Sequence, residues 1–353
     1  MQMTLRWFGP SDPIPLQYIR QIPGVRGVVS ALYDVPVGEM WPRSGIERLA
    51  ESIDAAGLAL SVIESIPVHE DIKLGRPTRD RLIEHYGESV RHMGELGIRV
   101  LCYNFMPVFD WTRTDLALAL DDGSTALAYD HRALERIDLS RGTGDLPGWA
   151  TAYSAAELRA LLDAYRHVTS EQLWEHLAYF LERVVPVAAE SNVKMAIHPD
   201  DPPFNILGLP RIVSTAEDLE YILSAVPNAS NGICFCTGSL GAHPANNLPE
   251  MARMVGDRIH FVHLRNVRKD AHGNFFEDDH LGGDVDMYAV MKEILAIQQQ
   301  AEAPIPFRPD HGHQMMDDLH KTTNPGYSAI GRMRGLAELR GLQLGICRSE
   351  GWE

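Results

Sequence analysis

Four cysteines in 353 residues are too few and too scattered for a disulfide framework. Each of Cys102, Cys234, Cys236 and Cys347 reads, on its own, as a small buried hydrophobe. Cys234 and Cys236 lie two apart on one apolar run and are expected to face opposite sides of a strand. No stretch approaches the ~18 to 20 apolar residues that a membrane helix requires. The opening MQMTLRWFGPSD holds no apolar core of an export signal. Basic residues are in deficit, with 32 Lys and Arg against 48 Asp and Glu and a formal net charge of -16. That balance argues against nucleic acid, whose phosphates need clustered Lys and Arg. Neither the G-x-G-x-x-G dinucleotide signature nor a phosphate-cradling P-loop is present. These absences describe a cytoplasmic protein without membrane or nucleic-acid partners. They leave room for an anionic small substrate, because a few local Arg side chains or a metal ion can reverse the field inside a pocket.

What is present is a repeating pattern: an amphipathic helix, a Gly or Asn stop, then a short apolar run. Ile46, Leu49 and Ile53 fall at helical spacing, Gly57 follows, and Leu58 to Ile63 reads as a strand. Val90, Met93 and Leu96 precede Gly97 and the run Ile98 to Leu101. Thr169-Ser-Glu-Gln172 is a capping box that opens a helix through Leu173, Leu177, Phe180, Leu181 and Val184. Asn192 and the strand Val193 to Ile197 come next. Ser214-Thr-Ala-Glu217 reads as another capping box, before the strand Asn231 to Cys236. Met251 to Val255 leads into Ile259 to Leu264, and Met287 to Ile297 leads into Pro306 to Pro309. With Thr4 to Phe8 and Val25 to Ser30 this makes eight candidate strands. Strands alternating with helices specify a parallel sheet, and eight units match a closed (β/α)8 TIM barrel of the α/β class. An open doubly wound sheet is the alternative. The whole chain, 1–353, is read as one barrel domain. The interval from Tyr103 to Val193 is too long for one crossover, so 105–165 is read as an insertion on a βα loop, either a lid or an oligomer contact.

Four ligand-type residues stand at corresponding ends of four successive strands: His198, Cys236, His263 and Asp310. Each alone is weak. In a barrel, however, the C-terminal strand ends converge on one face, and imidazole, thiolate and carboxylate together suit a divalent transition metal. His311 adjoins Asp310 and has the pKa range for acid/base work, with His313 a competing choice. Tyr327 lies in the turn Asn324-Pro-Gly-Tyr327 and is a candidate proton donor. Arg265 and Asn266 directly follow His263; an Arg there could hold a substrate carboxylate through paired hydrogen bonds. Arg308 is expected to point away from Asp310. Asp200, with Asp201, is a candidate for substrate hydroxyls. Trp7, with Phe8 and Trp41, is a candidate wall for a sugar pocket.

Several longer stretches are distinctive. Leu5-Arg-Trp-Phe-Gly-Pro-Ser-Asp12, Ser30-Ala-Leu-Tyr-Asp-Val-Pro-Val-Gly38 and Pro107-Val-Phe-Asp-Trp-Thr-Arg-Thr114 resemble the mannonate dehydratase family. So do His198-Pro-Asp-Asp-Pro, Phe235-Cys-Thr-Gly-Ser239, His263-Leu-Arg-Asn266, Arg308-Pro-Asp-His-Gly-His313 and Gly326-Tyr327. The resemblance runs from the first ten residues to the C-terminal helix. It implies a xylose-isomerase-like barrel and a Mn2+-type divalent ion, with Fe2+ or Zn2+ as alternatives. It also implies dehydration of D-mannonate to 2-keto-3-deoxy-D-gluconate in glucuronate breakdown. The family's metal ligands map onto His198, Cys236, His263 and Asp310, and its acid/base residues onto His311 and Tyr327, with the two roles left open between them. The expected partner is a small sugar acid, and the expected state a homo-oligomer. Two other readings compete. A metal-dependent sugar isomerase or epimerase would conserve the substrate's formula. A non-catalytic sugar-acid binding protein would need no acid/base pair beside the metal.

Overall fold

The structure is a computed structural model and describes residues 1–136 and 153–352. Among the described residues twelve strands form: β1 (Gln2–Arg6), β2 (Gly27–Ser30), β3 (Ala59–Glu64), β4 (Val100–Tyr103), β5 (Asp115–Ala119), β6 (Thr125–Tyr129), β7 (Lys194–Ile197), β8 (Asn231–Cys236), β9 (Ile259–His263), β10 (Asn266–Lys269), β11 (Phe275–Asp278) and β12 (Pro306–Arg308). Eight of them close a parallel barrel in the order β1-β12-β9-β8-β7-β4-β3-β2. These are the eight strands expected from the apolar runs, and closure excludes the open sheet. Edges shift by a residue or two. β1 begins and ends earlier than expected, because Trp7 and Phe8 already belong to the turn at the barrel mouth.

The helices form where capping and apolar spacing coincide. Thr169 and Gln172 make the expected capping box on the helix Ser170–Glu190, whose Leu173, Leu177, Phe180, Leu181 and Val184 are all buried. The second box is displaced by one residue: Thr215 caps the helix Ala216–Ala225 and Asp218 answers it, so Ser214 and Glu217 are not the pair. One continuous core lies between this helical ring and the barrel wall. A smaller set, Val29, Val62, Val100, Cys102, Ala196, Cys234 and Phe261, fills the barrel interior.

Cys234 therefore faces inward, and so does Cys236, which reaches Asp310 past the intervening β9. The expectation of opposite faces fails because the side-chain period of a strand is two, so residues two apart share a face. Arg308 does not point away from Asp310, because Asp310 lies past the end of β12 and outside strand alternation. Arg308 points inward and donates to Asp310 Oδ1 at 2.6 Å.

The segment after β4 is not only turns. β5 and β6 form a hairpin whose β6 pairs antiparallel with β11, giving a four-stranded sheet in the order β10-β11-β6-β5. The second half of that sheet comes from the loop after β9. Part of the expected 105–165 insertion, residues 137–152, lies outside the described residues. The helix Ala155–Tyr165 resumes the chain behind its own capping box of Ser154 and Glu157. Tyr165 Oη then donates to Glu70 Oε2 at 2.6 Å, docking this helix on the loop after β3.

Candidate active site

The C-terminal ends of the barrel strands, the loops that follow them and the helix Ala155–Tyr165 line a cavity of about 860 Å3. His198, just past β7, and Asp310, just past β12, both border it. Cys236, ending β8, and His263, ending β9, lie fully buried directly beneath. His198 Nδ1 donates to the Pro199 carbonyl at 2.7 Å, which turns Nε2 toward His263 Nδ1 at 3.1 Å. Cys236 Sγ is 3.7 Å from Asp310 Oδ2, and His263 Nδ1 is 3.8 Å from Asp310 Oδ1. His198, Cys236 and His263 each place one ligand atom within 4.8 Å of the other two, and Asp310 approaches Cys236 and His263, close to the ~3–4 Å that separates ligand atoms on an ion with bonds of about 2.0–2.3 Å. Ser239 points both its backbone N–H and its hydroxyl at Cys236 Sγ, the support a ligating sulfur calls for. Asp310 takes a left-handed backbone, φ +63°, that swings its carboxylate back over the barrel after Pro309.

Around the donors lies a dense set of buried charges. Arg308 grips Glu64 with two hydrogen bonds, at 3.0 and 2.7 Å, and Arg6 meets the same carboxylate at 3.0 Å. Arg113 grips Asp201 at 2.8 and 2.9 Å and reaches Glu277 Oε1 at 2.7 Å. Arg265 joins Asp201 at 2.7 Å and Glu277 at 3.1 Å. A Cβ at Gly238 would overlap the Arg265 guanidinium, so this close packing requires glycine. Burial alone would raise the pKa of every one of these carboxyls. It is outweighed in Asp310 by His311, Arg308 and Arg265, which hold the group well below the usual carboxylate range. Glu277 is likewise drawn down to about 2, against burial, by His311, Arg265 and Arg113.

His311 is placed between two partners. Its Nδ1 faces both oxygens of Glu277, at 2.8 and 2.9 Å, and its Nε2 faces Tyr327 Oη at 3.3 Å. Trp111 packs beside the ring with centroids 5.3 Å apart. Tyr327 is braced edge-on by Phe8 and sits under the Arg332 cation. Burial drives its phenol pKa upward, overriding the pull of Arg308 and Arg6. His313 is not in this cluster; its Nε2 bonds the Glu277 carbonyl from behind.

Of the residues read from the sequence, the structure brings His198, Cys236, His263, Asp310, His311, Tyr327 and Arg265 together. It separates three others from the cavity. Asn266 is fully buried, and its amide is spent on the His280 and Val285 carbonyls and on the Val267 and Val285 N–H groups. Asp200 turns away to accept from Val213 N and to face Arg211, and burial raises its pKa to about 6. Trp7, like Trp41, packs in the barrel core.

Sequence reasoning missed Arg6, Glu64, Arg113 and Glu277. Glu64 was within reach: it is the last residue of β3, one position beyond the expected strand end. Arg113 sits in a quoted stretch without a role. Glu277 gave no signal, because its hairpin enters the site only through pairing with β6.

The comparisons agree on one family. The family model D-mannonate dehydratase (UxuA) matches residues 1–351. A mannonate dehydratase 2 of Halalkalibacterium halodurans is 49% identical over 346 residues, covering 97% of this chain and 98% of that one. A mannonate dehydratase of Streptococcus uberis is 47% identical over 353 residues, covering 99% of each. The crystal structure of mannonate dehydratase from Streptococcus suis serotype 2 superposes with a TM-score of 0.91 at 43% identity, covering 100% of this chain and 96% of that one.

Proposed function

The chain belongs to the D-mannonate dehydratase family, and from that premise we propose how its cavity converts D-mannonate to 2-keto-3-deoxy-D-gluconate and water. The reaction removes the proton on C2 and expels the hydroxyl on C3. The C2 proton lies beside a carboxylate, so its loss builds enediolate-like charge. A divalent ion of the Mn2+ type, held by His198, Cys236, His263 and Asp310, supplies Lewis-acid stabilisation of that charge when bound; Fe2+ and Zn2+ suit the same donors.

The observation that carries the reading is the Glu277–His311–Tyr327 row beside that donor set. Ionised Glu277 accepts from His311 Nδ1, which leaves the lone pair of the neutral ring on Nε2, on the cavity side. His311 is thus the base for the C2 proton. Tyr327, kept protonated by burial, donates to the departing C3 hydroxyl. Arg265 and Arg308 border the cavity, yet both terminal nitrogens of each are engaged with Asp201, Glu277, Glu64 and Asp310, and Arg265 Nε, which has no partner among the described residues, is buried against Gly238. They act on an anionic substrate through their field rather than by a two-pronged grip. The helix Ala155–Tyr165 lines the outer cavity through Glu157, Ala160 and Leu161, which supports a lid role for the described part of 105–165.

The test strips the protein with chelator, restores Mn2+, Zn2+ or Mg2+ separately, and supplies D-mannonate. Metal-dependent appearance of a keto-deoxy acid, lighter than substrate by one water, is expected. Folded, metal-loaded protein that forms no such product with any ion contradicts this reading. A product of unchanged mass would favour an isomerase or epimerase.

A further inference from the structure

Beneath the cavity floor the barrel interior holds two thiols that dehydration does not use, beside one imidazole of the catalytic donor set. Cys102 on β4, Cys234 on β8 and His263 on β9 each place one ligand atom within 4.8 Å of the other two. Val29, Val62, Ala196 and Phe261 pack with the two thiols, which are near enough to hydrogen-bond each other. Cys102 is also part of the cavity wall, which gives an ion a path from solvent. His263 belongs at the same time to the upper group with His198 and Cys236.

We propose that Cys102, Cys234 and His263 form a second metal site, selective for thiophilic divalent ions such as Cd2+ and Zn2+, stacked under the catalytic donor set and sharing His263 with it. Two thiolates and an imidazole are a soft set, whereas the upper group carries the Asp310 carboxylate and accepts harder ions. Loading releases both thiol protons to solvent, so a divalent ion with two thiolates adds no net charge to the interior. This neutrality matters because Arg308 Nε lies 3.0 Å from His263 Nε2, where an uncompensated cation would be repelled. A soft ion in the lower site engages the imidazole that the upper ion requires, and turnover stops. That last consequence rests on the reading of His263 as a catalytic-site ligand; the lower site itself does not.

The experiment titrates metal-free wild-type protein and Cys234→Ala with Cd2+, following the ultraviolet thiolate-to-cadmium charge-transfer band and the equivalents bound. Cys234→Ser serves as a second variant should the alanine protein fail to fold, and thermal melts verify folding of each. Wild type is expected to bind one more equivalent than the variant, with a stronger band. Cd2+ should inactivate the Mn2+-loaded wild type in a manner that excess Mn2+ does not reverse, whereas excess Mn2+ rescues the variant. Equal stoichiometry and equal bands in the two folded proteins would overturn the proposal. An extra equivalent in wild type without loss of Mn2+-dependent activity would uphold the lower site and remove His263 from the upper one.

Discussion

Glu277 holds His311 by both carboxylate oxygens, and this contact decides what the imidazole can do. Glu277→Gln keeps the volume but offers an amide N–H where an anion stood, so the ring loses its preferred tautomer. A fall in kcat of about 10- to 100-fold with KM little changed is expected from steady-state kinetics on the metal-loaded variant. Glu277→Asp should recover part of it. An unchanged kcat would reduce Glu277 to a structural partner of Arg113 and Arg265. Tyr327→Phe removes only the hydroxyl, 3.3 Å from His311 Nε2, and leaves the donor set untouched. Metal binding by calorimetry should match wild type, while kcat drops by at least ~10^2-fold; retained turnover would exclude Tyr327 as the acid. At this scale the legible residues were those whose chemistry and strand-end position coincide, such as His198 and Asp310. Asn266 and Asp200 share that position but turn away from the cavity, because adjacency in sequence does not fix which way a side chain turns past a strand end.

The small sheet is the element that completes the site. It carries Glu277 on β11 and is bolted to the barrel by Arg113, whose guanidinium lies 4.9 Å over the Phe275 ring while its nitrogens hold Asp201 and Glu277. Phe275 stacks on Tyr129 of β6 with centroids 5.5 Å apart. Phe275→Ala should therefore destabilise the protein by about 3–5 kcal/mol, as removal of a buried aromatic does. It should also lower kcat at temperatures where circular dichroism still reports a folded barrel. Wild-type kcat in such a variant would show that the sheet does not position Glu277. The barrel strands were legible because each is a buried apolar run behind a capped helix. β5 was not: its alternate residues are exposed, and its hairpin with β6 joins the rest of the sheet only where β6 pairs with β11, far along the chain. Pairing over that separation leaves no local pattern.

Across the whole molecule, four guanidiniums (Arg6, Arg113, Arg265, Arg308) face four carboxylates (Glu64, Asp201, Glu277, Asp310) in the buried network. Paired in this way the charges are tolerated, and removing one partner strands another. The network also sets a pH response. Glu277 titrates at about 2 in the folded state, and Glu64, Asp201 and Asp310 are held below the normal carboxylate range, whereas unfolded carboxyls titrate near ~4. The folded state thus binds fewer protons than the unfolded one there. Its stability from these groups is present above pH ~4 and is lost as pH falls toward the folded values. Asp200, raised to about 6, acts oppositely and erodes stability as pH rises from ~4 to ~6. Urea midpoints of the metal-free protein, measured from about pH 3 to about pH 7, should fall steeply at the acid end. Glu277→Gln should show a shallower fall, and an equal slope in both proteins would remove Glu277 from the acid response.

Chain order and residue type were enough to specify the eight-strand barrel and to single out the candidate metal donors and acid/base pair, because helix caps, apolar runs and strand-end chemistry are local signals. They were also enough to identify the family. They did not specify the carboxylate behind His311, the Arg308–Glu64 clamp or the shared position of His263 above two cysteines. Those depend on which side chains meet across the barrel and between two hairpins distant in sequence. Barrel closure and long-range strand pairing set such meetings, and no single stretch of the chain encodes them.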